Sequence, residues 1–252
     1  MADVINPFDL DGEARLYHDV RPRYHHLPFR LVRAHVGPDI ISGLDVACGT
    51  GHSTVALAEI SNRVVGCDQS EQMLREARAQ SSIEFVRADA ESLPFDDRSF
   101  DLVTICMGFH WVEQERFLRE TRRVLKPSGY LCVDNYGFVG RISEDPAKQK
   151  AHSELFSTVL PQAARRAGYP TEALAANTHF ALANELKYEH RVPFDANRFV
   201  GLIMTWSNFQ ILEVARRVEA VRKMTEVYEF VFAGRKIDLQ FAGKAMLFRG
   251  VE

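Results

Sequence analysis

No apolar run of this chain reaches membrane-spanning length, and its opening, Met1-Ala-Asp-Val-Ile-Asn-Pro-Phe-Asp9, carries acids where a signal peptide would carry bases. Together these absences predict a cytoplasmic protein with no membrane partner. A basic excess is missing too, because 31 Lys and Arg against 34 Asp and Glu leave a net charge of -3 and so no positive field to draw in a phosphate backbone. Nucleic acid is therefore not an expected partner. Cysteine is scarce: Cys48, Cys67, Cys106 and Cys132 form no C-x-x-C pair, and each lies at or near the end of an apolar, β-branched stretch. That placement suits reduced core thiols and predicts no metal site. Internal repeats, low-complexity tracts and a convincing linker are also absent, so a single domain over 1–252 is expected. Monomer and homodimer stay equally open.

What is present is an alternation, in a chain whose 252 residues at 46% hydrophobic content suffice for one well-filled α/β domain with an elaboration. From Gly43 to Asn135 short β-rich runs alternate with amphipathic stretches, the pattern of βαβ units on a parallel sheet. Strands are predicted at Gly43 to Cys48, Arg63 to Cys67, Ile83 to Arg87, Phe100 to Cys106 and Tyr130 to Asn135. Helices fit at Ser53 to Ile60, Ser70 to Gln80 and Glu113 to Leu125. In the last of these Phe117, Leu118, Thr121, Val124 and Leu125 share one face, and Arg119, Arg122 and Arg123 lie mostly on the other, a solvated side. Lys126-Pro-Ser-Gly129 should then turn the chain. Beyond Asn135 the pattern reads as a helix from Asp145 to Arg166, a Gly168-Tyr169-Pro170 turn, a strand from Glu185 to Val192, two helices, and a final strand from Lys236 to Arg249. Ile211, Leu212, Ala215, Val218, Val221, Met224 and Tyr228 recur every three or four residues and predict one packed face.

The most informative segment is Leu44-Asp-Val-Ala-Cys-Gly-Thr-Gly51, a strand that runs through a glycine turn into a helix. Gly49 and Gly51 allow a sharp bend and let a ligand approach the main chain. Asp68, 17 residues beyond Gly51, ends the second strand, where a carboxylate can accept both hydroxyls of a ribose. An adenosine-containing ligand follows. A pyrophosphate site wants Gly or Ala in the third place of G-x-G-x-x-G, and Thr54 stands there, which weakens the alternative of an NAD-dependent oxidoreductase. Asp45, an acid inside an apolar strand, needs a donor or a cation, either a ligand ammonium with its hydration shell or nearby backbone N–H groups.

These residues resemble the first motif of class I S-adenosylmethionine-dependent methyltransferases. Gly66-Cys-Asp-Gln-Ser70 with Met73-Leu74 resembles the family's second motif, and Arg87-Ala-Asp-Ala-Glu-Ser-Leu-Pro-Phe95 its third. Ser99-Phe-Asp-Leu-Val103 and Arg123-Val-Leu-Lys-Pro-Ser-Gly129 resemble the fourth strand and the turn before the fifth, with Ala47 and Ser128 standing where many relatives carry glycine. The resemblance implies S-adenosylmethionine as cofactor and a Rossmann-like, doubly wound, mostly parallel seven-stranded sheet with a helical cap insertion. It divides the domain into a cofactor-covering segment (1–37), a cofactor-binding core (38–135), a helical cap with one late strand (136–235) and a final strand (236–252). By the same resemblance Asp68 holds the ribose, Asp89 the adenine amino group and Ala90 the ring through its backbone, while Gly49 faces the methionine part. Met73 and Leu93 flank the adenine, and Asp45, Ala47, Gly51, Gln69 and Met107 complete the cofactor set.

Two further segments, Tyr17-His-Asp-Val-Arg21-Pro-Arg-Tyr24 and Gly108-Phe-His-Trp111, are similar to the small-molecule branch of that family, the methyltransferase type 11 and trans-aconitate methyltransferase-like proteins. The similarity implies that Tyr17 and Arg21 face the methionine carboxylate, a task that suits the planar fork of arginine. Met107 to Trp111 follow the fourth strand at the carboxyl edge of the sheet, where open α/β folds bind ligands. His110 is accordingly the candidate base or substrate contact. Tyr24, Phe109, Trp111, Tyr136 and Trp206 join it as candidate acceptor residues, with Phe138, Phe209 and Tyr228 as further lining. The expected reaction is SN2 methyl transfer to a small organic acceptor, a carboxylate, hydroxyl or amine. The non-catalytic alternative is a methyltransferase-like protein that binds the cofactor as a sensor or scaffold.

Overall fold

The computed structural model describes residues 12–160 and 179–251. Its elements are α1 (Glu13–Val20), α2 (His26–Val36), β1 (Ser42–Val46), α3 (His52–Leu57), β2 (Arg63–Asp68), α4 (Glu71–Gln80), β3 (Glu84–Arg87) and β4 (Phe100–Cys106). They continue with α5 (Gln114–Val124), β5 (Leu125–Phe138), α6 (Pro146–Val159), β6 (Phe180–Phe194), α7 (Ala196–Met204), α8 (Ser207–Gln210), α9 (Val214–Phe232) and β7 (Ile237–Gly250). The expected Gly168-Tyr169-Pro170 turn and the end of the helix predicted to Arg166 lie outside the described residues.

The strands form one seven-stranded sheet in the order β3-β2-β1-β4-β5-β7-β6. β1 pairs in parallel with β2 and β4, β2 with β3, and β4 with β5. β1 lies inside the sheet with helices over both faces, so all five of its residues, Asp45 included, are buried. The order reverses between β1 and β4, so their carboxyl ends flank the crevice where such sheets take ligands.

Two compact units divide the described residues: 23–136, 179–188 and 243–251 in one, and 12–22, 137–160 and 189–242 in the other. In the first, Leu44, Val65, Val103, Ile105 and Leu131 pack one face of the sheet against Phe117 and Leu118 of α5. Leu102, Cys106, Cys132 and Leu247 pack the other face against Phe29 of α2 and Leu57 of α3. Helices on both faces make the sheet doubly wound. Local chemistry starts its helices: the Ser70 hydroxyl accepts from the Met73 N–H at 3.3 Å ahead of α4, and the Glu113 carboxylate accepts from the Arg116 N–H at 3.0 Å ahead of α5. In the second unit His152, Phe199 and Tyr228 form an aromatic core, with the His152 Nδ1 at 3.0 Å from the Tyr228 hydroxyl. Burial there lowers the imidazole pKa to about 4 and keeps it neutral. Among the described residues no helix is long and apolar enough to cross a membrane.

Three details depart from the sequence reading. The Lys126–Gly129 stretch does not simply turn the chain, since it lies within β5 as a bulge: Phe100 pairs with Leu125 and Leu102 with Tyr130, leaving the four residues between to loop out. Lys126 Nζ anchors the bulge at 2.9 Å from both Asp101 oxygens. β6 begins earlier than expected, at Phe180. The packed face of α9 consists of Ala220, Met224, Tyr228, Val231 and Phe232, whereas Ile211, Ala215 and Val218 of the predicted stripe are exposed. The 3.6-residue period holds, but burial begins two turns late.

Candidate active site

The site is built first on the turn between β1 and α3. Ala47, Gly49 and Gly51 all take positive φ, at 54°, 55° and 82°, and for Ala47 that left-handed conformation carries a steric penalty of about 1–2 kcal/mol. Beneath the turn Asp45 is fully buried. Its Oδ2 accepts from the Ser53 hydroxyl at 2.6 Å and the Thr54 hydroxyl at 2.7 Å, and its Oδ1 from the Thr104 hydroxyl at 2.8 Å. The partners of this buried acid are thus three side-chain hydroxyls, where a ligand ammonium or backbone N–H groups were expected. Burial pushes its carboxyl up to about 6 against the opposing pull of those donors.

Asp68, at the end of β2, faces the same turn. Its Oδ2 accepts from the Gly49 N–H and its Oδ1 from the Ser70 N–H, each at 2.8 Å. The carboxylate is thereby oriented, and it ties the glycine turn to the start of α4. A Cβ added at Gly49 would meet nothing within 4 Å. Bare backbone facing open space beside an oriented, half-buried carboxylate fits a nucleoside and the chain that it carries. The donor set therefore suits S-adenosylmethionine.

Around this corner Gln69 is exposed and its carbonyl accepts from Arg87 Nε at 3.0 Å. Met73 and Ala90 are buried, Asp89 is exposed, and the Asp89 carbonyl closes a short turn by accepting from the Ser92 N–H at 3.1 Å. Leu93 sits in the main apolar cluster.

On the side of β4 and β5, Met107 has a φ of 58°, donates its N–H to the Asp134 carbonyl at 2.9 Å and takes the Tyr136 N–H on its sulfur at 3.2 Å. Phe109 is buried edge-on against Phe117. His110 is half-buried beside Trp111, a residue 43% exposed. Tyr24 and Tyr136 are buried, ring against ring at 3.7 Å between centroids. The Tyr24 hydroxyl donates to Asp134 Oδ2 at 3.0 Å, and the Tyr188 hydroxyl donates to Asp134 Oδ1 at 2.8 Å. Neither Asp134 nor Tyr188 belongs to a motif, yet they organise this corner. Asp134 shows the same signal that drew attention to Asp45, an acid in an apolar strand (Leu131-Cys-Val-Asp134). Burial pushes its carboxyl up to about 7, against the two phenol donors.

Tyr17, Arg21 and Trp206 belong to the other unit. Arg21 lies 4.6 Å over the Tyr17 ring and donates from Nε to the Thr205 hydroxyl at 2.9 Å and from Nη2 to the Thr205 carbonyl at 3.1 Å. Trp206 packs on Phe156, and Phe209 and Tyr228 are buried core.

A family model for the methyltransferase domain matches residues 44–133. Among curated proteins, a candidate methyltransferase of Dictyostelium discoideum is 22% identical over 198 residues, covering 78% of this chain and 75% of that protein. The demethylmenaquinone methyltransferase of Clavibacter sepedonicus is 48% identical over 95 residues, which is 36% of this chain and 39% of that enzyme's length. Among solved structures, a candidate type II methyltransferase from Anaeromyxobacter dehalogenans shares the fold, with a TM-score of 0.65 at 23% identity over 90% of this chain and 96% of that one.

Proposed function

We propose that the chain, whose residues 44–133 match a methyltransferase domain, is a class I S-adenosylmethionine-dependent methyltransferase that transfers a methyl group to a small organic acceptor. The observation that carries this reading is the Asp68 carboxylate held by the Gly49 and Ser70 N–H groups beside the open face of Gly49. Asp68 accepts the ribose hydroxyls, Asp89 and the Ala90 backbone take the adenine, and the bare main chain at Gly49 lies along the methionine part. Bound there, the cofactor supplies a methyl group already activated by its sulfonium. The protein's share is therefore mainly orientation and exclusion of water. Asp45 contributes indirectly, since its three hydroxyl partners pin the turn to β4 and α3. His110, half-buried with Trp111 after β4, is the acceptor contact. It acts as a base only toward an acceptor that must lose a proton, a hydroxyl or a protonated amine, because a carboxylate arrives ionised.

The test is label transfer from S-adenosylmethionine to a panel of carboxylic acids, phenols, alcohols and amines, with a demethylmenaquinone included because of the Clavibacter enzyme. Transfer to one small molecule is expected. Asp68→Ala should weaken S-adenosylhomocysteine binding about 100-fold, as loss of two charge-assisted hydrogen bonds predicts, and slow transfer at limiting S-adenosylmethionine. Tight NAD binding without S-adenosylhomocysteine binding, or transfer only to protein or RNA, would overturn the reading.

A further inference from the structure

The loop after β3, residues 89–97, is fastened from one side by α5. Arg123, expected on a solvated face, turns back onto it and uses all five of its N–H donors. Nη1 donates to the Phe95 carbonyl at 2.7 Å and to Asp97 Oδ1 at 2.9 Å, and Nη2 to the Leu93 carbonyl at 2.9 Å. The remaining two donors grip Glu120, Nε to Oε1 at 3.0 Å and Nη2 to Oε2 at 2.8 Å. Glu120 Oε2 in turn accepts from the Leu93 N–H at 2.9 Å, so both polar backbone groups of Leu93 are held by one ion pair. At the other end of α5, Glu91 Oε1 accepts from the Glu113 N–H at 2.6 Å. Asp97 is 72% exposed on its side chain and adds little. The Glu120 fork and the two carbonyls carry the geometry.

We infer that Glu120 and Arg123 are positioning residues for adenine recognition, fixing the backbone of the loop from which Asp89 and Ala90 meet the base. This rests on the cofactor reading above and deepens it, because the pair touches no ligand and acts through the loop. Only arginine fits the task. A lysine retains the charge but cannot present a rigid fork to a carboxylate and two carbonyls at once.

The experiment measures binding of S-adenosylhomocysteine and of S-inosylhomocysteine, whose base has lost the adenine amino group, to wild type, Arg123→Ala and Arg123→Lys, with hydrogen exchange at the Leu93 amide. Wild type is expected to prefer the adenine ligand. Both variants should bind it about tenfold more weakly, lose most of the preference and exchange the Leu93 amide faster, with lysine failing to rescue. A wild type that binds the two ligands equally refutes adenine reading by the loop, and the role of the pair falls with it. If wild type discriminates and folded variants retain both affinity and preference, the positioning role alone is overturned. Loss of the fold in both variants would assign the pair to stability and likewise overturn it.

Discussion

Asp45 under the glycine turn and Asp134 at the end of β5 are two acids buried in neighbouring parts of one sheet, and they find their donors in opposite ways. Asp45 takes Ser53 and Thr54, only eight and nine residues along the chain, and adds Thr104 from the adjacent strand. Asp134 takes Tyr24 and Tyr188, which are 110 and 54 residues away. Two of the first network's three hydroxyls are in place once a single strand, turn and helix have formed, and the third waits for Thr104 of β4. The second exists only after the chain on both sides of it has been gathered in, at a larger loop-closure cost. Room for it is also made at a distance, because a Cβ on Gly243 would lie 2.2 Å from the Tyr188 ring. Burial raises the pKa of both carboxyls, to about 6 at Asp45 and about 7 at Asp134, and hydrogen-bond donors oppose it at each.

The comparison breaks most sharply at Asp45. Asp45→Ala leaves three hydroxyls without their acceptor and should destabilise the protein by roughly 3–5 kcal/mol, a fall in Tm of about 10 °C. A calorimetric melt matching wild type would show that the local network does not hold the turn.

Asp134→Asn should act in the other direction. An unfolded aspartate titrates near 3.9 and the folded one at about 7, so the folded chain holds the proton more tightly between those values. The stability due to Asp134 is full below about pH 4 and is lost as pH rises through 7. Asparagine mimics the protonated acid, so the variant should exceed wild type by roughly 2–4 kcal/mol at pH 8, with the gain fading toward pH 4. Urea unfolding at pH 5 and pH 8 measures this, and a difference independent of pH would mean that Asp134 is not the titrating group.

The smallest effect sharpens the local side. Ala47→Gly relieves a left-handed alanine but loosens the unfolded chain, for a net gain of no more than about 1 kcal/mol. A Cβ on Gly108 would lie 2.8 Å from the Ala47 methyl, so the loops after β1 and β4 are already close there. A loss greater than 1 kcal/mol on thermal melting would show that this methyl packs the two loops.

Much of the fold could be read from the residues. The β1 to β4 strands, α4 and α5 fall within a few residues of their predicted bounds, because period and punctuation are local properties. The glycine turn and Asp68 were equally legible, since the groups that meet there come from one βαβ unit. Tyr24 and Tyr136 read from the sequence as acceptor residues, and their rings lie buried against each other beside Asp134. Arg123 reads as a solvated arginine because helical period names a face without saying what lies across from it, and here a loop does. On α9 the period identified a stripe, but only its second half meets the core.

By itself the sequence determined the parallel sheet, the turn of bare backbone and the acid that orients beside it, all within one short stretch of chain. Tertiary structure alone decided the donors of Asp134, the inward fold of Arg123 and the buried half of α9. The reason is that a sheet sets strands side by side without regard to their separation along the chain, and a polar side chain takes its direction from whatever partner that assembly delivers.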